Sequence, residues 1–135
     1  MSLSDEERTA LVNYRLEKSA ATMEQVKTLI PFGYWDLIAN RLYYAAYYTV
    51  SALLLQQGHS VQTHHGIIHL LGLHYIKPGK LDKRHGTTYG RLFSLRQTGD
   101  YGDLFGLTES DVMPLVPDTE ALISTVSEII RSQQK

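Results

Sequence analysis

Leu42-Tyr43-Tyr44-Ala45-Ala46-Tyr47-Tyr48-Thr49-Val50-Ser51-Ala52-Leu53-Leu54-Leu55 is the most apolar run in the chain. It lies inside a helical pattern that extends from about Tyr34 to Gln57 and shows no polar face. A helix without a polar face must be covered on several sides by neighbours. The run therefore predicts a central helix, buried by other helices and able to reach a contact between subunits. Crossing a bilayer takes about 20 apolar residues. Thr49 and Ser51 interrupt this shorter run, so it is expected to be a core helix and no membrane anchor.

Working outward, Ser4-Asp5-Glu6-Glu7 has the spacing of a capping box, in which serine and glutamate satisfy a helix's first free amides. Val12, Leu16, Ala20, Met23, Val26 and Ile30 then recur every three or four residues and predict one apolar stripe. Pro31-Phe32-Gly33 ends that helix, and Gly58 ends the central one. Thr63 is an N-cap for a third helix buried through Ile67, Ile68, Leu70, Leu71 and Tyr75, closed by Lys77-Pro78-Gly79-Lys80. Asp82 caps a fourth helix through Leu92, Phe93 and Leu95, where Gly86 and Gly90 imply fraying or close packing. Thr108 and Asp111 start a short turn; Pro114 and Pro117 disturb the pattern until Leu122, Ile123, Val126, Ile129 and Ile130 resume it as a last helix. No segment alternates as a strand would. The expected fold is all-α, an up-and-down four-helix bundle with an additional short helix, in a single domain over residues 1–135.

A chain of 135 residues with 43% hydrophobic side chains is long enough for one core. It has no cysteine, which excludes disulfides, thiolate metal sites and a cysteine nucleophile. The polar, acidic start lacks the features of an export signal, and a cytoplasmic location is expected. The net charge of −1 argues against coating nucleic acid over the whole surface. Charge is unevenly spread: Lys77, Lys80, Lys83, Arg84, Arg91 and Arg96 face a single acid, Asp82, within their stretch. From Asp100 to Glu128 there are seven acids and no lysine or arginine.

Several groups of residues are chemically suggestive. Five histidines fall between His59 and His74, with His65 and His69 at a spacing that suits a metal ion. No acid lies from Ala39 through Gly79 to complete a ligand shell, so no metal and no cofactor is expected. Tyr43, Tyr44, Tyr47 and Tyr48 form two pairs at helical spacing, suited to filling a core or interface, or to stacking on bases if exposed. Asn40 and Arg41 interrupt the apolar helix. A guanidinium there must be hydrogen-bonded or paired, with Asp100 or Asp103 as the expected acids. In Arg91-Leu92-Phe93-Ser94-Leu95-Arg96-Gln97-Thr98-Gly99-Asp100-Tyr101-Gly102-Asp103, two arginines, a tyrosine and two acids suit either phosphate binding or a structural ion-pair network.

Three stretches together, Asn40-Arg41-Leu42-Tyr43-Tyr44-Ala45-Ala46-Tyr47, Thr63-His64-His65-Gly66 and Leu95 to Asp103, resemble the HEPN family in its branch of short prokaryotic chains. The resemblance implies a four-helix bundle that dimerises through its central helices and carries a groove near the fourth helix. It also implies a minimal nucleotidyltransferase as partner, in what are often toxin–antitoxin pairs. Many HEPN proteins are metal-independent ribonucleases that use an arginine followed after four to six residues by a histidine. This chain departs from that pattern. Arg96 is followed at those positions by Tyr101, Gly102 and Asp103, and neither Arg91 nor Arg41 has a histidine there. The expectation is thus a nucleotide- or RNA-binding homodimer whose ligand site is Arg91, Arg96, Tyr101, Asn40, Arg41 and Asp100. The alternatives are a ribonuclease toxin in which His64 and Arg96 serve as a displaced pair, and a module that binds only protein. Some HEPN toxins are silenced by nucleotidylation of a tyrosine near the motif, which here would be Tyr101.

Overall fold

A computed structural model describes residues 3–60, 63–101 and 106–134, and of residues 100 and 101 the backbone alone. Helix α1 (Asp5–Leu29) opens on the capping box: Ser4 Oγ accepts the Glu7 amide at 3.1 Å, and Glu7 Oε1 accepts the Ser4 amide at 3.0 Å. A 3-10 turn (Ile30–Phe32) and Gly33, at φ +70°, where a side chain would be strained, reverse the chain into α2 (Trp35–Gln56). Helix α3 (His64–Leu71), capped by Thr63, widens into one π turn (Gly72–Ile76) before α4 (Lys83–Tyr101). The short α5 (Glu109–Val112) leads into α6 (Leu115–Gln133). The described residues hold no strand, and none of their helices is long and apolar enough to cross a membrane.

Helix α2 is the centre, as its apolar run requires, and packs against α1, α4 and α6. Leu42, Tyr43, Ala45, Ala46, Val50, Ala52, Leu53 and Leu54 are all buried. Where α1 crosses it, the sequence expectation needs correcting by one position. Ala20 is exposed, while Ser19 and Thr22 are buried beside Val12, Met23 and Val26. Hydropathy misses them because their hydroxyls are satisfied locally. Ser19 Oγ donates to the Ala45 carbonyl at 2.6 Å and accepts Thr49 Oγ1 at 2.7 Å, and Thr22 Oγ1 donates back to the Lys18 carbonyl. Small hydroxylated residues at this crossing let the two backbones approach closely.

At α4 the second of two expectations is met, and at α6 the expected start is corrected. Helix α4 is continuous from Lys83, with Asp82 Oδ1 accepting the Arg84 amide, and does not fray at its glycines. A Cβ at Gly86 would meet the Ile76 side chain at 3.2 Å, so this glycine serves close packing. Helix α6 begins at Leu115, well before the sequence pattern resumes. Pro114 is its N-cap residue and Pro117 sits in its first turn, where amides have no partner within the helix and proline costs nothing.

The Ser19 register is testable. Ser19→Leu is expected to lower the urea unfolding free energy by roughly 1–3 kcal/mol through overpacking. Ala20→Leu, on the exposed side, should change it by no more than about 0.5 kcal/mol. The reverse order would contradict the helix crossing described.

Candidate functional site

The chemistry-bearing side chains gather where α2, α3 and α4 meet. Tyr43 is fully buried, whereas Tyr44, Tyr47 and Tyr48 are half-buried on the adjoining flank of α2. Their rings form a continuous aromatic cluster: Tyr43 lies 5.1 Å from Tyr44, 6.1 Å from Tyr47, 5.7 Å from Tyr89 and 5.9 Å from Phe93. Buried tyrosines need partners for their hydroxyls, and these partners bring polar residues to the cluster.

One such partner is His64, the first residue of α3, placed by the Thr63 cap, whose hydroxyl accepts the Gly66 amide at 2.9 Å. Its Nδ1 and the Tyr43 hydroxyl share a hydrogen bond of 2.5 Å, and its ring also contacts Tyr47 at 5.2 Å and Tyr44 at 6.1 Å. Burial lowers the His64 pKa from the usual 6.5, and the nearby charges of Arg96 and His65 lower it further. Burial also pushes the Tyr43 phenol up to about 12, against smaller opposing effects from Tyr89 and Arg96. At neutral pH the phenol keeps its proton and the imidazole is uncharged, the form that can accept a proton.

A second partner is Arg96. It reaches from α4 across the same rings, its guanidinium carbon 5.6 Å from the Tyr43 centroid and 5.4 Å from that of Tyr44, and Nη2 donates to the Tyr44 hydroxyl at 3.2 Å. On α2 itself, Arg41 stands 5.5 Å from the Tyr44 centroid. Its Nε and Nη2 donate to Asn40 Oδ1 at 3.1 and 2.9 Å, and Nη1 donates to Gln25 Oε1 at 3.3 Å. Two guanidinium groups thus converge on the ring of Tyr44. Stacking on an aromatic face holds an arginine while its N–H donors stay directed in its own plane, the arrangement that suits a phosphate.

The structure therefore brings Asn40, Arg41, His64 and Arg96 together and separates Arg91 from them. Residues five apart on a helix of 3.6 residues per turn point in divergent directions. Arg91 is exposed in an open cleft of about 540 Å³ between α4 and α5–α6, lined also by Asp111 and Asp118. Asp100 and Tyr101 close α4 with their backbone, but their side chains lie outside the described residues, as does Asp103. Among the described residues Arg41 is met by neutral amide oxygens where an acid was expected. Asp36 is occupied elsewhere, accepting the Leu107 amide at 2.7 Å.

The histidines spread apart. His59 stacks on His74 at 4.6 Å, and His65 sets its edge against Phe93, so no three metal-ligating residues converge among the described residues. Sequence reading missed Gln25, a polar residue on α1 with no distinguishing pattern. It also missed Tyr89, whose place was signalled by its four-residue spacing from Phe93. Burial holds the Tyr89 phenol well above 10, and the neighbouring Tyr43 raises it further.

Residues 12–130 match the model of the HEPN domain family. The chain is 30% identical to a protein of Thermotoga maritima called UPF0332 protein, over 96% of this chain and 98% of that one. Two Methanocaldococcus jannaschii proteins named as candidate toxins are also similar. One is 29% identical over 64% of this chain and 58% of its own length, the other 26% identical over 73% and 72%.

The electrostatic link between α3 and α4 can be measured by NMR titration. His64 is expected to titrate below 6.5, and Arg96→Gln should raise its midpoint by removing a nearby positive charge. Because the folded pKa lies below the unfolded one, His64 contributes stability that is complete above about pH 6.5 and declines as pH falls below it. A midpoint indifferent to Arg96 would refute the link.

Proposed function

Because this chain belongs to the HEPN domain family, we propose that it is a nucleotide- or RNA-binding subunit of a toxin–antitoxin-like pair, working in the cytoplasm as a homodimer beside a minimal nucleotidyltransferase. The observation that carries the binding role is the convergence of Arg41 and Arg96 on Tyr44. Two like charges held about one ring repel each other, and an anion between them relieves the repulsion. A phosphate oxygen accepts hydrogen bonds from guanidinium forks, and Asn40 and Gln25 hold Arg41 in place for it. The relatives named as candidate toxins support the paired setting.

A second activity, RNA cleavage, is favoured by one specific observation: His64 and Arg96 meet across Tyr43 and Tyr44 although they come from different helices. A neutral His64 would take the proton of a ribose 2′-hydroxyl as its oxygen attacks phosphorus. Arg96 would steady the charge developing on the phosphoryl oxygens as a 2′,3′-cyclic phosphate forms and the 5′-oxygen leaves, taking a proton from water.

Arg96→Ala is expected to abolish retention of nucleotide or RNA while leaving helicity intact by circular dichroism. Arg91→Ala, in the other cleft, should bind as the wild type does. Binding unchanged by Arg96→Ala would refute the proposal. Incubating structured RNA with the purified protein in EDTA decides the ribonuclease role: cleavage lost in His64→Ala supports it, and no cleavage above that control ends it.

A further inference from the structure

The cleft that holds Arg91 takes no part in the anion recess. Two adjoining hollows of about 540 and 610 Å³ share Thr87, Arg91, Leu115 and Asp118, and so form one groove. One wall runs along α4 from Lys83 to Leu95, and the other from Ser110 through α5 and α6 to Ala121. At a rise of 1.5 Å per residue the α4 wall is roughly 18 Å long, about three helical turns. Leu95, Leu115 and Ala121 give the groove apolar surface.

Its charges are sorted by wall. Lys83, Arg84 and Arg91 stand exposed on the α4 side, and Asp111 and Asp118 stand exposed opposite them. Asp82, at the end of the α4 wall, caps the helix by accepting the Arg84 amide, and Asp111 Oδ2 accepts the Thr108 amide at 2.8 Å. No ion pair crosses the groove among the described residues. Gly90 lies midway along the α4 wall, and a Cβ there would meet nothing within 4 Å. Glycine weakens a helix interior, and no packing within the chain accounts for this one. Its bare backbone leaves room for another backbone to approach closely.

We infer that this groove docks an amphipathic helix of a different protein, its apolar stripe edged by acids on the side facing α4 and by bases on the side facing α6. A polyanion would meet the carboxylates of Asp82, Asp111 and Asp118, whereas a helix with two oppositely charged edges matches both walls. An extended segment would find no free backbone partners along walls that are themselves helices. A helix satisfies its own amides and presents side chains alone. A second copy of this chain lacks the ligand. Its exposed large apolar residues are Leu3, Tyr14, Phe32, Tyr34, Leu37 and Leu73, and no described helix carries three of them along one face.

The test uses three fluorescein-labelled synthetic helical peptides with the same leucine stripe, read by anisotropy against the full-length protein. One has glutamates along one edge of the stripe and lysines along the other; the second has glutamates on both edges, and the third lysines on both. The wild type is expected to bind the mixed peptide roughly tenfold more tightly than either of the others, since each exposed ion pair adds a modest increment. Gly90→Trp fills the groove and should weaken that binding by roughly tenfold or more, with helicity and light-scattering mass unchanged. Asp118→Lys should turn the preference to the peptide with glutamates on both edges. No binding, or equal binding of all three peptides by the wild type, overturns the inference. So does wild-type affinity in Gly90→Trp, or a preference that Asp118→Lys leaves in place. A fall in mass in Gly90→Trp also overturns it and assigns the groove to a second copy. Should Gly90→Trp lose helicity, Asp118→Lys, an exposed substitution, decides alone.

Discussion

The structure turns on burying α2 along most of its surface, with Leu37 exposed and Tyr44, Tyr47 and Tyr48 half-buried. A helix with no polar stripe can exist in water only if neighbours enclose it, and α1, α4 and α6 do so. The same helix carries four tyrosines, whose hydroxyls resist simple burial. Tyr43 meets this demand through His64, and Tyr44 through Arg96. The polar residues of the site are thus recruited by the requirement that the core helix be both covered and hydrogen-bonded. Fold and site share one origin, and removing a cluster ring would disturb both.

The long helices were legible in the sequence because their signals are local. Ser4, Thr63 and Asp82 cap the helices they were expected to cap, and Gly33 and Gly58 take the left-handed conformations that end α1 and α2. What stayed hidden depends on contacts between elements. Ser19 looks like a surface residue until Ala45 and Thr49 are seen to satisfy its hydroxyl. Pro117 looks like a helix breaker until it falls in a first turn. In the site, Asn40, Arg41, His64 and Arg96 were all named from sequence, but grouping Arg91 with Arg96 ignored the turn of the helix between them.

The site also brings a histidine near an arginine without the spacing in sequence that the family's motif uses. No histidine follows Arg96 at the expected interval, yet His64 arrives from α3 against the same tyrosines. Its burial keeps it uncharged near neutrality, and Arg96 adds to that effect. An uncharged imidazole near the Arg96 guanidinium sets a proton acceptor close to a cation, with Tyr43 and Tyr44 between their helices. The acidic half of the chain is represented elsewhere, by Asp111 and Asp118 in the cleft of Arg91.

The central claim is that Arg41 and Arg96, held about Tyr44, form one anion-binding recess. A crystal structure of the protein with a bound nucleotide tests this most directly. Its phosphate should lie within hydrogen-bonding distance of both guanidinium groups. A phosphate seated instead on Arg91 between α4 and α6, with Arg41 and Arg96 untouched, would contradict it.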